Sequence, residues 1–145
     1  MALKPRDIAL RAASAVVLAP AAVLATWAGG GWFCALVVVA AVLLAFEWAR
    51  MSAPALWRSV GTGVALALIV AIIAAHVGQI SLALILMVFG ALASGLFART
   101  RGESALDAAY GVLYLGWPCI LLIWLRDLNE VQGLYWTVLV FAVAW

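Results

Sequence analysis

Charged side chains are scarce in this sequence. Asp, Glu, Lys and Arg together make up 10% of its 145 residues, whereas 70% of the residues are hydrophobic. Soluble domains carry roughly 25% charged residues, and they need that polar surface to face water. This chain cannot cover its apolar surface in water, so its solvent must be lipid. The small net charge of +2 also argues against a nucleic-acid partner.

Residues that bind metals or act as nucleophiles are also few. There is one histidine, His76, and the two cysteines, Cys34 and Cys119, stand in separate apolar runs without a Cys-x-x-Cys spacing. We interpret the cysteines as small buried hydrophobic residues and His76 as an interfacial side chain. The sequence also lacks a glycine-rich phosphate loop and a nucleophile elbow, so we assign no catalytic residue and no metal ligand to it.

Long apolar runs are what the sequence does have. A helix needs about 20 apolar residues to cross the ~30 Å hydrocarbon core, and lipid forces backbone amides to bond within the helix. Runs rich in Ala, Leu and Val without strict alternation indicate helices rather than a barrel. We therefore predict an all-α, polytopic transmembrane helical bundle with five complete spans and a truncated sixth. The spans are residues 12–28, 32–49, 60–77, 80–98, 108–125 and 131–145.

The last run is too short to span a bilayer. Residues 131–145 would form about 22 Å of helix at ~1.5 Å per residue, less than the thickness of the hydrocarbon core. From this we expect the chain to be the N-terminal part of a larger membrane protein.

Basic residues lie on one side of the predicted membrane. If the spans alternate in direction, only Arg126 falls on the opposite face from the other seven, which are Lys4, Arg6, Arg11, Arg50, Arg58, Arg99 and Arg101. The positive-inside rule then places the N-terminus and the loops 50–59 and 99–107 in the cytoplasm of a bacterial-type inner membrane. The competing interpretation, a cleaved signal peptide within residues 1–27, would disturb this charge distribution.

Two groups of acidic residues are open to two interpretations each. Glu47 ends an apolar span one turn before Arg50, so it is either a functional carboxylate at membrane depth or half of an interfacial ion pair. Glu103 and Asp107 are four residues apart, which fits either a cation site or the acidic start of a helix.

Small and aromatic residues indicate how the spans pack and where they end. Glycine or alanine recurs every four residues in the third span, at Gly63, Ala67, Ala71 and Ala75, a pattern for close helix packing that leaves a homo-oligomer open. Five tryptophans are interpreted as rings at headgroup level, namely Trp27, Trp32, Trp48, Trp57 and Trp117.

Several short motifs occur in an order typical of one enzyme family. Residues 11–20, RAASAVVLAP, are followed by Gly29-Gly30, by Phe46-Glu47-Trp48 at the end of the second span, and by residues 111–118, GVLYLGWP, ahead of Leu125-Arg126. This succession resembles the N-terminal half of bacterial phosphatidate cytidylyltransferases, also called CDP-diacylglycerol synthases. The catalytic signature of that family, rich in Ser, Lys, His and Asp, has no counterpart in this sequence, so no catalytic residue is carried over.

The resemblance implies transfer of a cytidylyl group from CTP to phosphatidate, with Mg²⁺ as cofactor and CDP-diacylglycerol and diphosphate as products. CTP and the membrane lipid phosphatidate are then the partners, the helices are scaffold, and the isolated chain is expected to be inactive. Arginines at the cytoplasmic face are predicted to attract the anionic substrates. These are Arg11, Arg50, Arg58, Arg99 and Arg101.

Two alternatives to a transferase remain. One is a small non-enzymatic accessory protein of the membrane. The other is half of a transporter, which would need charged or broken helices near mid-membrane, and the predicted spans contain few such features.

The predicted orientation can be tested by cysteine labelling in cells, with Cys34 and Cys119 replaced by alanine. A cysteine placed in the loop 99–107 should resist a membrane-impermeant thiol reagent added from outside, because the positive-inside rule places that loop in the cytoplasm. A cysteine placed at the connection 78–79 should react. The reverse pattern would contradict the orientation.

Overall fold

The computed structural model describes residues 19–144, and over that range every regular element is a helix. The helices are α1 (Ala19–Ala28), α2 (Gly30–Ser52), α3 (Trp57–His76), α4 (Ile80–Thr100), α5 (Ala105–Arg126) and α6 (Glu130–Ala144). The all-α prediction is therefore confirmed, and the arrangement is that of a polytopic helical bundle.

Four helices, α2 to α5, are long and apolar enough to cross a membrane. They correspond to the second to fifth predicted spans. The described part of α1 has the ten residues Ala19–Ala28, and the rest of the predicted span 12–28 lies outside the described residues, as does Arg11. Helix α6 has 15 residues.

The connections between helices at the arginine-rich end are shorter than predicted. Instead of loops over 50–59 and 99–107, the structure has non-helical connections at residues 53–56 and 101–104. The backbone hydrogen bonds of each helix continue beyond its apolar residues into segments with polar side chains. Hydropathy alone therefore predicts helices that are too short at this end of the bundle. As a result Arg50, Arg58 and Arg99 belong to terminal helical turns.

Helices α3 and α5 contact each other, and α2 and α4 each pack against both of them, while α6 packs against α5. This topology brings the C-termini of α2 and α4 together with the N-termini of α3 and α5. We call this the cationic end, defined by Arg50, Arg58, Arg99 and Arg101. The indole of Trp48 at the end of α2 donates a hydrogen bond to the carbonyl oxygen of Asp107 in α5, 2.9 Å away.

Small side chains let the helices approach closely. Ala41, Ala45 and Ala49 form the buried stripe of α2, and each is 0% exposed. On the other side of α3, a Cβ added to Gly90 of α4 would lie 2.7 Å from the Cβ of Ala67. Close packing replaces the hydrophobic effect as the attraction between helices in lipid. The predicted small-residue pattern of α3 therefore serves packing within the chain at Ala67, whereas the stripe of α2 was not predicted.

Both helices α3 and α4 end on a glycine in the left-handed region. Gly78 and Gly102 each have a φ of +80°, and the residue after each glycine bonds back to the helix, from Gln79 N to Ala74 O and from Glu103 N to Ala98 O, both 3.0 Å. This pattern is a Schellman motif, which satisfies the last carbonyl groups of a helix and stops it abruptly. The short connections follow from it.

Gly111 tests the importance of close packing. A Cβ on Gly111 would lie 2.5 Å from Nε1 of Trp48, so Gly111→Ala must displace the indole and break its hydrogen bond to Asp107. We expect a loss of about 1–3 kcal/mol in unfolding free energy, measured by thermal unfolding in detergent. The matched control is Gly31→Ala in α2, where nothing lies within 4 Å of the added Cβ. That change should be neutral or stabilise by up to about 1 kcal/mol, and an equal loss in both variants would contradict the interpretation.

Candidate anion-binding site at the cationic end

Two arginines from adjacent helix ends share one indole ring. Arg50 lies in the last turn of α2 and Arg58 in the first turn of α3, and their Cζ atoms lie 4.6 and 5.1 Å from the ring centre of Trp57. The ring of Phe46 meets Trp57 edge-on at 6.0 Å. We call Arg50, Trp57 and Arg58 the arginine–tryptophan cluster. Stacking on an aromatic face orients a guanidinium group and leaves its N–H donors at the edge, where an anion can accept hydrogen bonds.

The cluster lies at the N-terminus of α3, which has no cap of its own. Leu56 occupies the N-cap position without a side-chain hydrogen bond, and the first turn contains no acidic residue. The free N–H groups and the positive end of the helix dipole favour an anion. The same dipole makes Arg58 unfavourable at this position unless an anion compensates its charge. Backbone and side chains therefore both point to an anion at this site.

The N-terminus of α5, at the same end of the bundle, is different. The hydroxyl of Ser104 accepts a hydrogen bond from the backbone N–H of Asp107 at 3.3 Å, and the Asp107 carboxylate lies in the first turn. This confirms the acidic helix start as the interpretation of Asp107. Within residues 19–144 there is no group of three or more His, Cys, Asp or Glu side chains that could hold a metal ion.

Glu47 is half of an interfacial ion pair. One of its carboxylate oxygens lies 2.7 Å from Nη1 of Arg50, and the two side chains are 62% and 53% exposed. The ion-pair interpretation is therefore correct, and Glu47 is not a buried carboxylate. An exposed pair of this kind contributes only about 0–1 kcal/mol, so a phosphate can compete for Arg50.

The other predicted arginines among the described residues, Arg99 and Arg101, lie at the C-terminal end of α4. Arg99 is in the last turn of α4, and the Cζ of Arg101 lies 5.1 Å from the ring centre of Phe97 on the same helix. The cationic end also carries the carboxylates of Glu47, Glu103 and Asp107. With three acidic groups beside its four arginines, the cationic end is less positive than the count of basic residues alone indicated.

The five tryptophans predicted at headgroup level have different surroundings. Trp27 and Trp32 are 70% and 74% exposed. Trp48 and Trp57 are partly buried against the core of the bundle, and Trp48 packs on the ring of Tyr110 at 5.7 Å. Trp117 lies near the middle of α5, so its assignment to a span end was wrong. From sequence alone, a tryptophan near a helix end that faces headgroups cannot be distinguished from one that packs on a neighbouring helix.

Arg126 lies at the opposite end of the bundle and is only 7% exposed. Its Nε and Nη2 donate hydrogen bonds to the carbonyl oxygens of Thr26 and Trp27, at 2.8 and 3.0 Å. A guanidinium group satisfies the free carbonyls at a helix C-terminus and complements its negative dipole end. Arg126 therefore caps α1, which explains why one arginine departs from the charge distribution. No sequence pattern indicates this contact, because its partners are 100 and 99 residues away along the chain.

His76 has an acidic neighbour that its sequence context did not reveal. Its Nδ1 lies 3.6 Å from Oδ2 of Asp127, which follows α5 at the end opposite the arginines. Two groups are too few for a tetrahedral metal site, and the pair is partly exposed. We retain the interpretation of His76 as an interfacial side chain.

The capping role of Arg126 predicts a stability effect. Arg126→Gln should reduce the free energy of unfolding by about 1.5–3 kcal/mol, because hydrogen bonds from a charged donor to two carbonyl oxygens are lost. Arg126→Lys should lose less unfolding free energy than Arg126→Gln, because lysine keeps the charge but lacks the planar guanidinium fork. The measurement is thermal unfolding in detergent. The control is Arg99→Gln, an exposed arginine expected to change stability by less than about 0.5 kcal/mol, and similar losses in Arg126→Gln and Arg99→Gln would contradict a capping role.

Comparison with known families gives a match over nearly the whole chain. The sequence model of the cytidylyltransferase family matches residues 9–145. Neither the curated proteins nor the solved structures contain a significant match. The family match agrees with the resemblance drawn from the ordered motifs and covers all six helices. The chain therefore belongs to the cytidylyltransferase family.

Proposed function

We propose that this protein takes part in the transfer of a cytidylyl group from CTP to phosphatidate, forming CDP-diacylglycerol at the cytoplasmic face of the inner membrane. The observation that carries the proposal is the family match over residues 9–145, which supports a CTP-dependent nucleotidyltransferase. A lipid acceptor is favoured because four helices are long and apolar enough to cross a membrane. Phosphatidate, in particular, presents a phosphate monoester at the membrane surface.

The proposed role of the cationic end is to bind that phosphate. Arg50 and Arg58 each present guanidinium donors beside the Trp57 ring, and the N-terminus of α3 adds backbone N–H groups. A phosphate held between them is oriented with one oxygen free to attack the α-phosphorus of CTP, from which pyrophosphate leaves. The apolar helices below would accommodate the acyl chains, so the lipid need not leave the membrane to react.

The Mg²⁺ that the family implies finds no suitable ligands in the described part of the chain. Glu47 is paired with Arg50, and residues 19–144 contain no cluster of three or more potential metal ligands. We therefore assign no metal ligand and no bond-making step to these residues. Their proposed work is to bind and position the lipid phosphate, and we expect the chain by itself not to catalyse the transfer.

A substitution at the N-cap of α3 separates binding from folding. Leu56→Asp would cap the free N–H groups and raise the stability of the helix by about 1 kcal/mol. It should at the same time weaken phosphatidate binding at least about fivefold, because the new carboxylate occupies those N–H groups and repels phosphate. The measurement is calorimetric titration of short-chain phosphatidate into the purified chain in neutral detergent. Arg50→Gln and Arg58→Gln should each weaken binding about fivefold.

Two controls keep this test specific. Gln79 occupies the uncapped N-cap position of α4 at the opposite end, so Gln79→Asp should stabilise similarly and leave binding unchanged. Glu47→Gln breaks the ion pair with Arg50 but keeps both guanidinium groups, so binding should stay the same or tighten. Equal effects of Leu56→Asp and Gln79→Asp, or weaker binding in Glu47→Gln, would contradict a phosphate site at α3.

Catalysis can be tested in two forms of the protein. The purified chain incubated with CTP, phosphatidate and Mg²⁺ should release no pyrophosphate, and detectable release would refute the scaffold role. When the chain replaces the corresponding segment of an active cytidylyltransferase, formation of CDP-diacylglycerol should depend on Arg50 and Arg58. Their substitution by glutamine should raise KM for phosphatidate and leave kcat nearly unchanged, because the contacts act on binding.

A further inference from the structure

Helices α3 and α4 form an open groove with a volume of about 450 Å³. Gly90 and Ala67 both line it, and a Cβ added to Gly90 would lie 2.7 Å from the Cβ of Ala67. We call it the α3–α4 groove, and the residues that matter for its chemistry are Gly63, Ala67, Gly90, Ala93, Ser94 and Phe97. The lining is apolar except for one hydroxyl group.

That hydroxyl belongs to Ser94, whose side chain is only 6% exposed. The hydroxyl groups of Thr62 and Thr100, on the same two helices, each donate to a carbonyl oxygen of their own helix at 2.7 Å. Ser94 makes no such bond to any residue in the range 19–144 and instead lines the groove. The Ser94 oxygen is accessible from the groove, so a ligand that brings a polar group to this depth can form a hydrogen bond with it.

The groove has an ordered polarity along α4. At its cationic end, the Cζ of Arg101 lies 5.1 Å from the ring centre of Phe97, which lines the groove. At ~1.5 Å per helical residue, Ser94 lies about 10 Å below Arg101, and Leu86 a further 12 Å or so towards the membrane centre. The order along the groove is therefore a cation, a hydroxyl and an apolar surface. A phospholipid has its groups in the matching order, with the phosphate first, the glycerol ester next and the acyl chain last.

We propose that the α3–α4 groove binds one acyl chain of an anionic membrane phospholipid, with the headgroup phosphate at Arg101 and the glycerol ester at Ser94. The charge of Arg101 favours an anionic over a zwitterionic headgroup. An apolar helix from a second copy of the chain would fill the groove but would leave the Ser94 hydroxyl without a partner. The site uses neither Arg50 nor Arg58, and the inference stands independently of the proposed cytidylyl transfer.

Photocrosslinking of the intact chain tests this inference. The chain is reconstituted in phosphatidylcholine vesicles that contain phosphatidylglycerol with a photoreactive acyl chain, and crosslinked residues are identified by mass spectrometry. Crosslinks should concentrate on α3 and α4 at the groove. Arg101→Gln should reduce crosslinking about fivefold, to the level obtained with photoreactive phosphatidylcholine, because one surface arginine is lost. Ser94→Ala should reduce it about threefold, as expected for one neutral hydrogen bond.

A matched pair of variants places a large side chain either in the groove or on an exposed surface of another helix. Ala93 is exposed and lines the groove, so Ala93→Phe should reduce crosslinking at least fivefold, whereas Ala40→Phe on an exposed position of α2 should not. Gly63→Ala is a milder second variant, because its Cβ would lie 3.7 Å from the Phe97 ring, an ordinary contact that occupies groove space without strain. It should give a smaller reduction in the same direction.

Three outcomes would overturn the inference. Crosslinks spread evenly around the bundle would mean that no groove site exists. Equal effects of Ala93→Phe and Ala40→Phe would mean the same. A shift from dimer to monomer in Ala93→Phe, measured by light scattering, would assign the groove to a second copy of the chain. Because no CTP is present, failure of cytidylyl transfer would leave this result unaffected, and failure of the groove site would leave the role of Arg50 and Arg58 intact.

Discussion

Close contact between helices through small side chains is the constraint on which this structure depends. In lipid, apolar side chains gain little by leaving their surroundings, so helices associate by packing and by hydrogen bonds between them. The buried alanines of α2, the contact of Gly90 with Ala67, and the space that Gly111 leaves for Trp48 all provide such packing. Because these contacts fix the bundle, they also fix which helix ends lie side by side.

The two ends of the bundle use their polar groups differently. At one end, Arg126 satisfies the carbonyl groups that terminate α1, whereas Nδ1 of His76 is buried without a hydrogen-bond partner among the described residues. At the cationic end, α5 has its own cap at Ser104, whereas the N-terminus of α3 has none and is flanked by two arginines. Polar groups that the fold leaves unsatisfied are the ones available to a ligand. Helix N-termini without a side-chain cap occur at both ends, at α3 and at α4, so the two arginines beside α3 distinguish the cationic end.

Parts of the candidate site were predictable because they depend on neighbours in sequence. The ion pair of Glu47 with Arg50 follows from spacing along one helix, and Asp107 at a helix start follows from the local dipole. The loops at the cationic end were predicted too long, because hydropathy records where apolar residues stop and not where backbone hydrogen bonding stops. The meeting of Arg50 and Arg58 at one indole was not predicted, since it requires the ends of two helices to be placed together.

The sequence by itself determined that the chain is helical, that its helices are long and apolar enough for a membrane, and that its motifs belong to the cytidylyltransferase family. These properties depend on hydropathy, on hydrogen bonds between residues four apart, and on motif order, all of which are local or linear. Only the tertiary structure decided that Arg126 caps α1, that Trp48 packs between helices, and that Ser94 opens into a groove. Each of these contacts joins segments far apart in sequence, and packing at small residues, which no local pattern specifies, brings them within a few ångströms.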